Sequence, residues 1–180
     1  MKILLIDDNP GNLEAARDQL NEHEFTLCSS YRAGASKLNH DPILSDHKYS
    51  GFSFKKGEPQ FDMVLTDLFL PTTLIGTGGS DFEHQQPYGL VLAFTALRRG
   101  IKKIAIISNA GHHDHPIIWA MDSLGEGFSV GETKFIFSQR LIWEGEKGWQ
   151  KSWAENATRG SNGINVKNWK VVADELQNQE

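Results

Sequence analysis

Two apolar runs in this chain each end in carboxylates. Lys2-Ile3-Leu4-Leu5-Ile6 leads straight into Asp7-Asp8, and Met63-Val64-Leu65-Thr66 into Asp67. Short apolar runs closed by polar residues have the length and continuity of strands buried on both faces, which is the pattern of a parallel sheet covered by helices. Parallel strands all leave the sheet at the same edge, so carboxylates that finish two of them gather there. Open α/β folds keep their chemistry at that edge. Like charges so gathered raise one another's pKa unless a divalent cation such as Mg²⁺ joins them. One acidic cluster of Asp7, Asp8 and Asp67 is therefore expected.

The rest of the chain alternates in the way such a sheet requires. Asn9-Pro10-Gly11-Asn12 is turn chemistry, with Asn12 a candidate cap for a helix carrying Leu13, Ala16, Arg17 and Leu20 at helical spacing. Phe25 to Ser29 reads as a second strand and Ala33 to Leu38 as a second helix. Met63 to Thr66 is the third strand, Gly89 to Arg99 a helix, Ile104 to Ile107 the fourth strand and Pro116 to Leu124 a helix. Lys134 to Ser138 is the fifth strand, and Val166 to Leu176 closes the chain as an amphipathic helix with Trp169, Val172, Ala173 and Leu176 inward. Residues 39–60, 71–88 and 141–164 lack a clear period and read as insertions. Strands alternating with helices imply a doubly wound α/β domain, with few topologies left once crossovers are right-handed. No repeat or linker divides residues 1–180, so a single domain is expected.

Composition narrows the function classes. The formal net charge is −5, against the clustered Lys and Arg that phosphate-backbone recognition needs, so no nucleic-acid partner is expected. No stretch approaches the length of a membrane span, and the N-terminus reads as a strand and not as a signal peptide, so no membrane partner and a cytoplasmic location are expected. The single cysteine, Cys28, sits in an apolar run and reads as a small buried hydrophobe.

With these residues in order, the chain resembles the receiver domain of two-component response regulators. Asp7-Asp8 resembles that family's acidic pair, and Asp67 followed by Leu68-Phe69-Leu70-Pro71 its phosphoacceptor and following proline. Gly89-Leu90-Val91-Leu92 with Leu97-Arg98-Arg99 resembles the third helix, and Ile104 to Ser108 with Asn109-Ala110 the fourth strand and switch hydroxyl. The resemblance implies a flavodoxin-like, five-stranded parallel sheet in the order 2-1-3-4-5. It also implies phosphorylation of Asp67 with Mg²⁺ held by Asp7, Asp8, Asp67 and the backbone carbonyl of Phe69, and Ser108 contacting the phosphoryl oxygens. The partners it implies are a histidine kinase or phosphotransfer protein and a downstream protein, with a homodimer admitted. Self-phosphorylation of this kind is signalling chemistry more than enzyme turnover.

One element departs from the pattern. The family carries a lysine at the end of the fifth strand, followed by proline, whereas this chain reads Lys134-Phe135-Ile136-Phe137-Ser138-Gln139-Arg140-Leu141. Lys134 is at the wrong end. Arg140 takes the lysine position with Phe137 as the aromatic switch, or else Ser138 does with Phe135. This departure keeps a second reading open, a pseudo-receiver that docks proteins without being phosphorylated. A third, a metal-dependent phosphohydrolase, is weakened because Asn9 and Pro10 stand where a general acid would be needed.

Three further motifs take plainer readings. His112-His113-Asp114-His115 is a polar loop above the acids, with no Cys or acidic partner at metal-site spacing. Gly76-Thr77-Gly78-Gly79-Ser80 lacks the lysine of a P-loop and is expected to be a lid beside Asp67. Trp143, Trp149, Trp153 and Trp169 either roof a small extra core or form a partner surface.

Overall fold

The computed structural model describes residues 1–38, 59–72, 85–108, 115–125, 127–139, 157–159 and 165–178. In chain order the elements are β1 (Lys2–Ile6), α1 (Pro10–Gln19), β2 (Glu24–Cys28), α2 (Tyr31–Lys37), β3 (Met63–Asp67), β4 (Leu70–Pro71) and β5 (Gln85–Gln86). They continue with α3 (Tyr88–Arg98), β6 (Lys103–Ser108), α4 (Pro116–Asp122), β7 (Gly127–Val130) and β8 (Thr133–Gln139). The last are β9 (Ala157–Arg159), β10 (Asn165–Lys167) and α5 (Trp169–Asn178).

The main sheet runs β2-β1-β3-β6-β8-β7. Its first five members are mutually parallel, which is the predicted order 2-1-3-4-5. A sixth strand, β7, adds an antiparallel edge to β8. It arises because the chain leaving α4 turns back tightly at Gly131, whose φ of 59° a glycine takes without a Cβ clash.

Strand pleating sorts the core into two layers. On one face Leu4, Ile6, Val64, Ile104, Ile106, Phe135 and Phe137 pack against α2, α3 and α4. On the other, Ile3, Leu5, Met63, Leu65, Ala105, Ile107 and Ile136 pack against α1 and α5 through Ala16, Leu20, Trp169, Val172, Ala173 and Leu176. Because side chains alternate along a strand, the residues that follow Leu5 and Leu65 by two places, Asp7 and Asp67, belong to the α1/α5 side. That parity decides which elements can reach them.

Several local details differ from the sequence expectations. Asn9, not Asn12, caps α1: its side chain accepts from the Gly11 and Asn12 N–H groups, and Pro10 opens the helix where its missing N–H does no harm. Asn12 is buried inside the helix. The last helix begins at Trp169 and not at Val166, because Asn168 stops it: the Asn168 side chain accepts from Val171 N at 3.3 Å. The residues before it extend as β10, paired antiparallel with β9 inside the segment predicted as an irregular insertion. The ends of the predicted 71–88 insertion also pair, Leu70 with Gln86 and Pro71 with Gln85.

Candidate functional site

Ile6 lies opposite Thr66 in the β1–β3 ladder, so Asp7 and Asp67 come level at the carboxyl edge of the sheet. With Asp8 they form one cluster, each residue offering a carboxylate oxygen within 4.8 Å of the others. Ser108 is buried at the end of β6, one place beyond the residue opposite Asp67. Phe69 stands in the turn two residues after Asp67, its ring edge-on to His115 at 5.1 Å between centroids. His115 caps α4, its Nδ1 accepting from Ile117 N at 3.1 Å. Arg140, His112, His113, Asp114, Trp143, Trp149, Trp153 and the Gly76–Ser80 run lie outside the described residues. Lys134 stands at the opposite end of β8 from the acids, as the sequence indicates, paired with Lys103. Ser138 is buried with its Oγ lacking a hydrogen-bond partner among the described residues.

Among the described residues, the cation that reaches the acids is Lys167. Its ammonium lies 2.6 Å from Asp7 Oδ2 and 3.0 Å from Asp67 Oδ2, with only 1% of the side chain exposed. It arrives from β10, on the α1/α5 side to which both aspartates point. Its backbone is held at both ends by α1: Lys167 N donates to Asn12 Oδ1 at 3.1 Å, and Lys167 O accepts from Gln19 Nε2 at 3.1 Å. The ammonium also lies 5.4 Å from the centre of the Trp169 ring, a cation–π distance.

Burying an ion in this way costs several kcal/mol before its partners repay it. The Coulomb attraction to two carboxylates offsets that cost, and α5 adds the burial of Trp169, Val172 and Leu176, each worth roughly 1.5–3 kcal/mol.

Asn12 links the parts. Its Nδ2 donates to Asp7 Oδ1 and Oδ2, both at 3.1 Å, while its backbone O accepts from Trp169 Nε1 at 3.0 Å. Asp7 Oδ1 also accepts from Asn9 N at 2.8 Å. Asp67 Oδ1 accepts from Leu68 N at 2.7 Å. Asp8 Oδ2 accepts from Gln85 Nε2 at 2.5 Å.

These surroundings set the protonation of the cluster. Burial pushes Asp67 from its ordinary 3.8 up to about 7; Lys167 pulls the other way, and the Asp7 and Asp8 charges push up again. Burial also raises Asp8, with Asp7 adding to the rise and the Gln85 hydrogen bond opposing it. For Lys167 burial acts downward, but Asp67 and Asp7 together outweigh it and hold the ammonium charged. One lysine shared between two aspartates keeps its own charge firmly while neither aspartate gets a full partner.

The donor set suits a hard divalent cation. It is all oxygen, and with all three carboxylates ionised one ammonium leaves two of their charges uncompensated among the described residues. Asp7, Asp8 and Asp67 would hold such an ion.

Sequence reasoning missed Lys167, Asn12 and Gln85. The signal for Lys167 lay in Asn168, a preferred N-cap residue, which starts the helix at Trp169 and leaves Val166-Lys167 extended toward the core.

The strand order and the helices on both faces make an open, doubly wound flavodoxin-like fold, with the acidic pocket at its carboxyl edge. No family model and no curated protein matches the chain. Among solved structures it is similar to the Mn(2+)-bound form of response regulator Rcp1, at 15% identity, covering 78% of this chain and 81% of that one, with a TM-score of 0.45. It is also similar to a response regulator receiver domain protein (CheY-like) from Methanospirillum hungatei JF-1, at 15% identity over 78% of this chain and 82% of that one, TM-score 0.44. A response regulator receiver domain protein from Clostridium thermocellum is 18% identical over 79% and 83%, TM-score 0.43.

Proposed function

We propose that this domain is a phosphoacceptor receiver of a two-component relay, with Asp67 as the acceptor. The observation that carries the reading is the buried pocket in which Asp7, Asp8 and Asp67 converge and Lys167 bridges Asp7 to Asp67. A carboxylate oxygen of Asp67 forms a bond to phosphorus while the donor's P–N or P–O bond breaks, and the electron pair leaves with the donor. The product is an aspartyl phosphate. Because phosphoryl transfer depends mainly on positioning and charge stabilisation, the residues' task is to hold the acceptor and absorb charge. Leu68 N fixes one oxygen of Asp67, Lys167 supplies positive charge at the other, and Ser108 waits at the same edge for the phosphoryl oxygens. Asp7, Asp8 and Asp67, with the Phe69 carbonyl, would hold Mg²⁺, which would supply charge neutralisation on the transferring group. Lys167 is the cation beside the acceptor in this reading, and Arg140, which the sequence offers for that role, lies outside the described residues.

Partners follow from this reading. A histidine kinase or phosphotransfer protein donates the phosphoryl group in the cytoplasm, and a docked protein or a second copy of the chain reads the result. Among the described residues, no helix is long and apolar enough to cross a membrane.

Incubation with acetyl phosphate and Mg²⁺, followed by intact-protein mass measurement, tests the proposal. A single phosphoryl adduct that Asp67→Asn abolishes is expected. Absence of any adduct, with the protein folded and Mg²⁺ bound, supports the pseudo-receiver instead. Steady release of phosphate from varied monoesters supports the phosphohydrolase.

A further inference from the structure

Gln85 is not part of the acidic motif, yet it touches it. Its Nε2 donates to Asp8 Oδ2 at 2.5 Å, and the side chain is only partly exposed. The backbone beneath it is tied to the rest of the pocket. Gln85 pairs with Pro71 and Gln86 with Leu70, so β5 is laddered to the short strand that begins directly after Phe69. The far ends of this ladder are pinned in turn: Thr72 O accepts from Arg32 N at 3.0 Å, Thr72 Oγ1 donates to Tyr88 Oη at 3.4 Å, and Tyr88 stacks on Tyr31 at 4.4 Å. Gln85 and the Phe69 turn are thus tied together beside the cluster.

An amide has two ends. Facing an anionic carboxylate it presents its NH₂, and a half-turn about its last side-chain bond presents its carbonyl oxygen from the same place. The NH₂ carries no net charge, so it leaves the two uncompensated negative charges of the pocket where they were. A divalent cation there reverses the local preference, because N–H dipoles aimed at a cation are repelled and a carbonyl oxygen is attracted. Side-chain amide oxygens are ordinary ligands of hard divalent cations.

We propose that Gln85 is a fourth side-chain ligand of a divalent cation held by Asp7, Asp8 and Asp67, its amide turning from donor to Asp8 into oxygen donor to the metal. The inference rests on reading the pocket as a cation site. It predicts that removing the amide weakens cation binding; if Gln85 were only a competitor for Asp8, removing it would strengthen binding.

Free Mn²⁺, followed by electron paramagnetic resonance during titration of the full chain, separates these. Four proteins are compared: wild type, Gln85→Leu, Gln85→Glu and Asp8→Asn, each checked for folding by circular dichroism. Gln85→Leu is expected to weaken Mn²⁺ binding about tenfold, of the order seen when groups around a metal are lost. Gln85→Glu, which keeps an oxygen in place, is expected to bind at least as well as wild type. Unchanged or tighter binding by Gln85→Leu, or weaker binding by Gln85→Glu, overturns the role of Gln85 while leaving the pocket a cation site. Failure of the wild type to bind Mn²⁺, or undiminished binding by Asp8→Asn, overturns the cation site itself and the inference with it.

Discussion

At the scale of single residues, the pocket is an unequal contest between burial and charge. Asp67 holds its proton up to about pH 7 although its ordinary value is 3.8. The folded state therefore binds more protons at this position than the unfolded chain does between those two values. Stability contributed by Asp67 is full below about pH 4, falls as pH rises toward 7 and levels off above it. Denaturant midpoints of the metal-free protein measured from pH 4 to 8 should show that fall, and Asp67→Asn should flatten it; an unchanged slope in the variant would assign the effect elsewhere. Lys167 is the complementary case. Lys167→Met keeps the bulk of the side chain but strands Asp7 and Asp67 without their cation, which should cost about 3–5 kcal/mol at neutral pH. The loss should shrink at pH 5, where Asp67 is protonated, and shrink again in Mg²⁺. A loss independent of both pH and Mg²⁺ would mean that Lys167 matters for packing and not for its charge.

At the scale of elements, the site depends on how closely helices approach strand ends. Gly89 sits in the first turn of α3, and a Cβ there would lie 2.0 Å from the Asp67 carbonyl oxygen and 2.9 Å from Leu68 Cα. Both obstacles are backbone, so no side chain can turn away to make room. Gly89 N also donates to Leu68 O at 3.0 Å, fixing the turn that aims Asp67. Gly89→Ala should therefore destabilise by about 3 kcal/mol or more and displace Asp67, lowering both the thermal midpoint and the rate of labelling by acetyl phosphate. A variant with wild-type stability would refute the close approach. The same scale explains what the sequence disclosed and what it hid. Asp7, Asp8 and Asp67 were legible because they close two apolar runs, Asp7 and Asp8 the first and Asp67 the second, a property of a few adjacent residues. Lys167 was not, because Val166-Lys167-Asn168-Trp169 also reads as the opening turn of an amphipathic helix with the lysine facing water. Its extended form comes from pairing with β9 and from hydrogen bonds to Asn12 and Gln19, contacts that no local window contains. Asn12 was misread for a related reason: Asn9 and Asn12 are both sound caps, and only Asp7, five residues earlier, shows that Asn12 has other work.

At the scale of the whole molecule, chain segments far apart must be folded together before the pocket exists. Asp7 and Lys167 are 160 positions apart, and Gln85 stands 77 from Asp8. Alternating strands and helices made the doubly wound sheet legible, since each apolar run carries its own period. The antiparallel edge strand β7 was not, because its sequence, Gly127-Phe128-Ser129-Val130, is too short for a period to show. A ligand that bridges the three aspartates therefore bridges β1 to β3 and, through Asp7 and Lys167, β10 and α5. Such a ligand binds the folded chain and not the unfolded one, so its binding free energy appears as stability. At one hundred times its dissociation constant, Mg²⁺ should add about 2.7 kcal/mol, a rise of roughly 5–10 °C in Tm for a domain of this size. Asp8→Asn should lose most of that rise, and an equal ionic strength of NaCl should not reproduce it, because screening acts on the whole net charge of −5 and not on one pocket. The affinity should also climb as pH passes upward through 7, since the cation and the Asp67 proton compete for the same oxygens. Differential scanning calorimetry across Mg²⁺ and pH checks both. A Tm that responds to NaCl and Mg²⁺ alike, or to Mg²⁺ equally in Asp8→Asn, would show that the acids meet at the sheet edge without holding a metal.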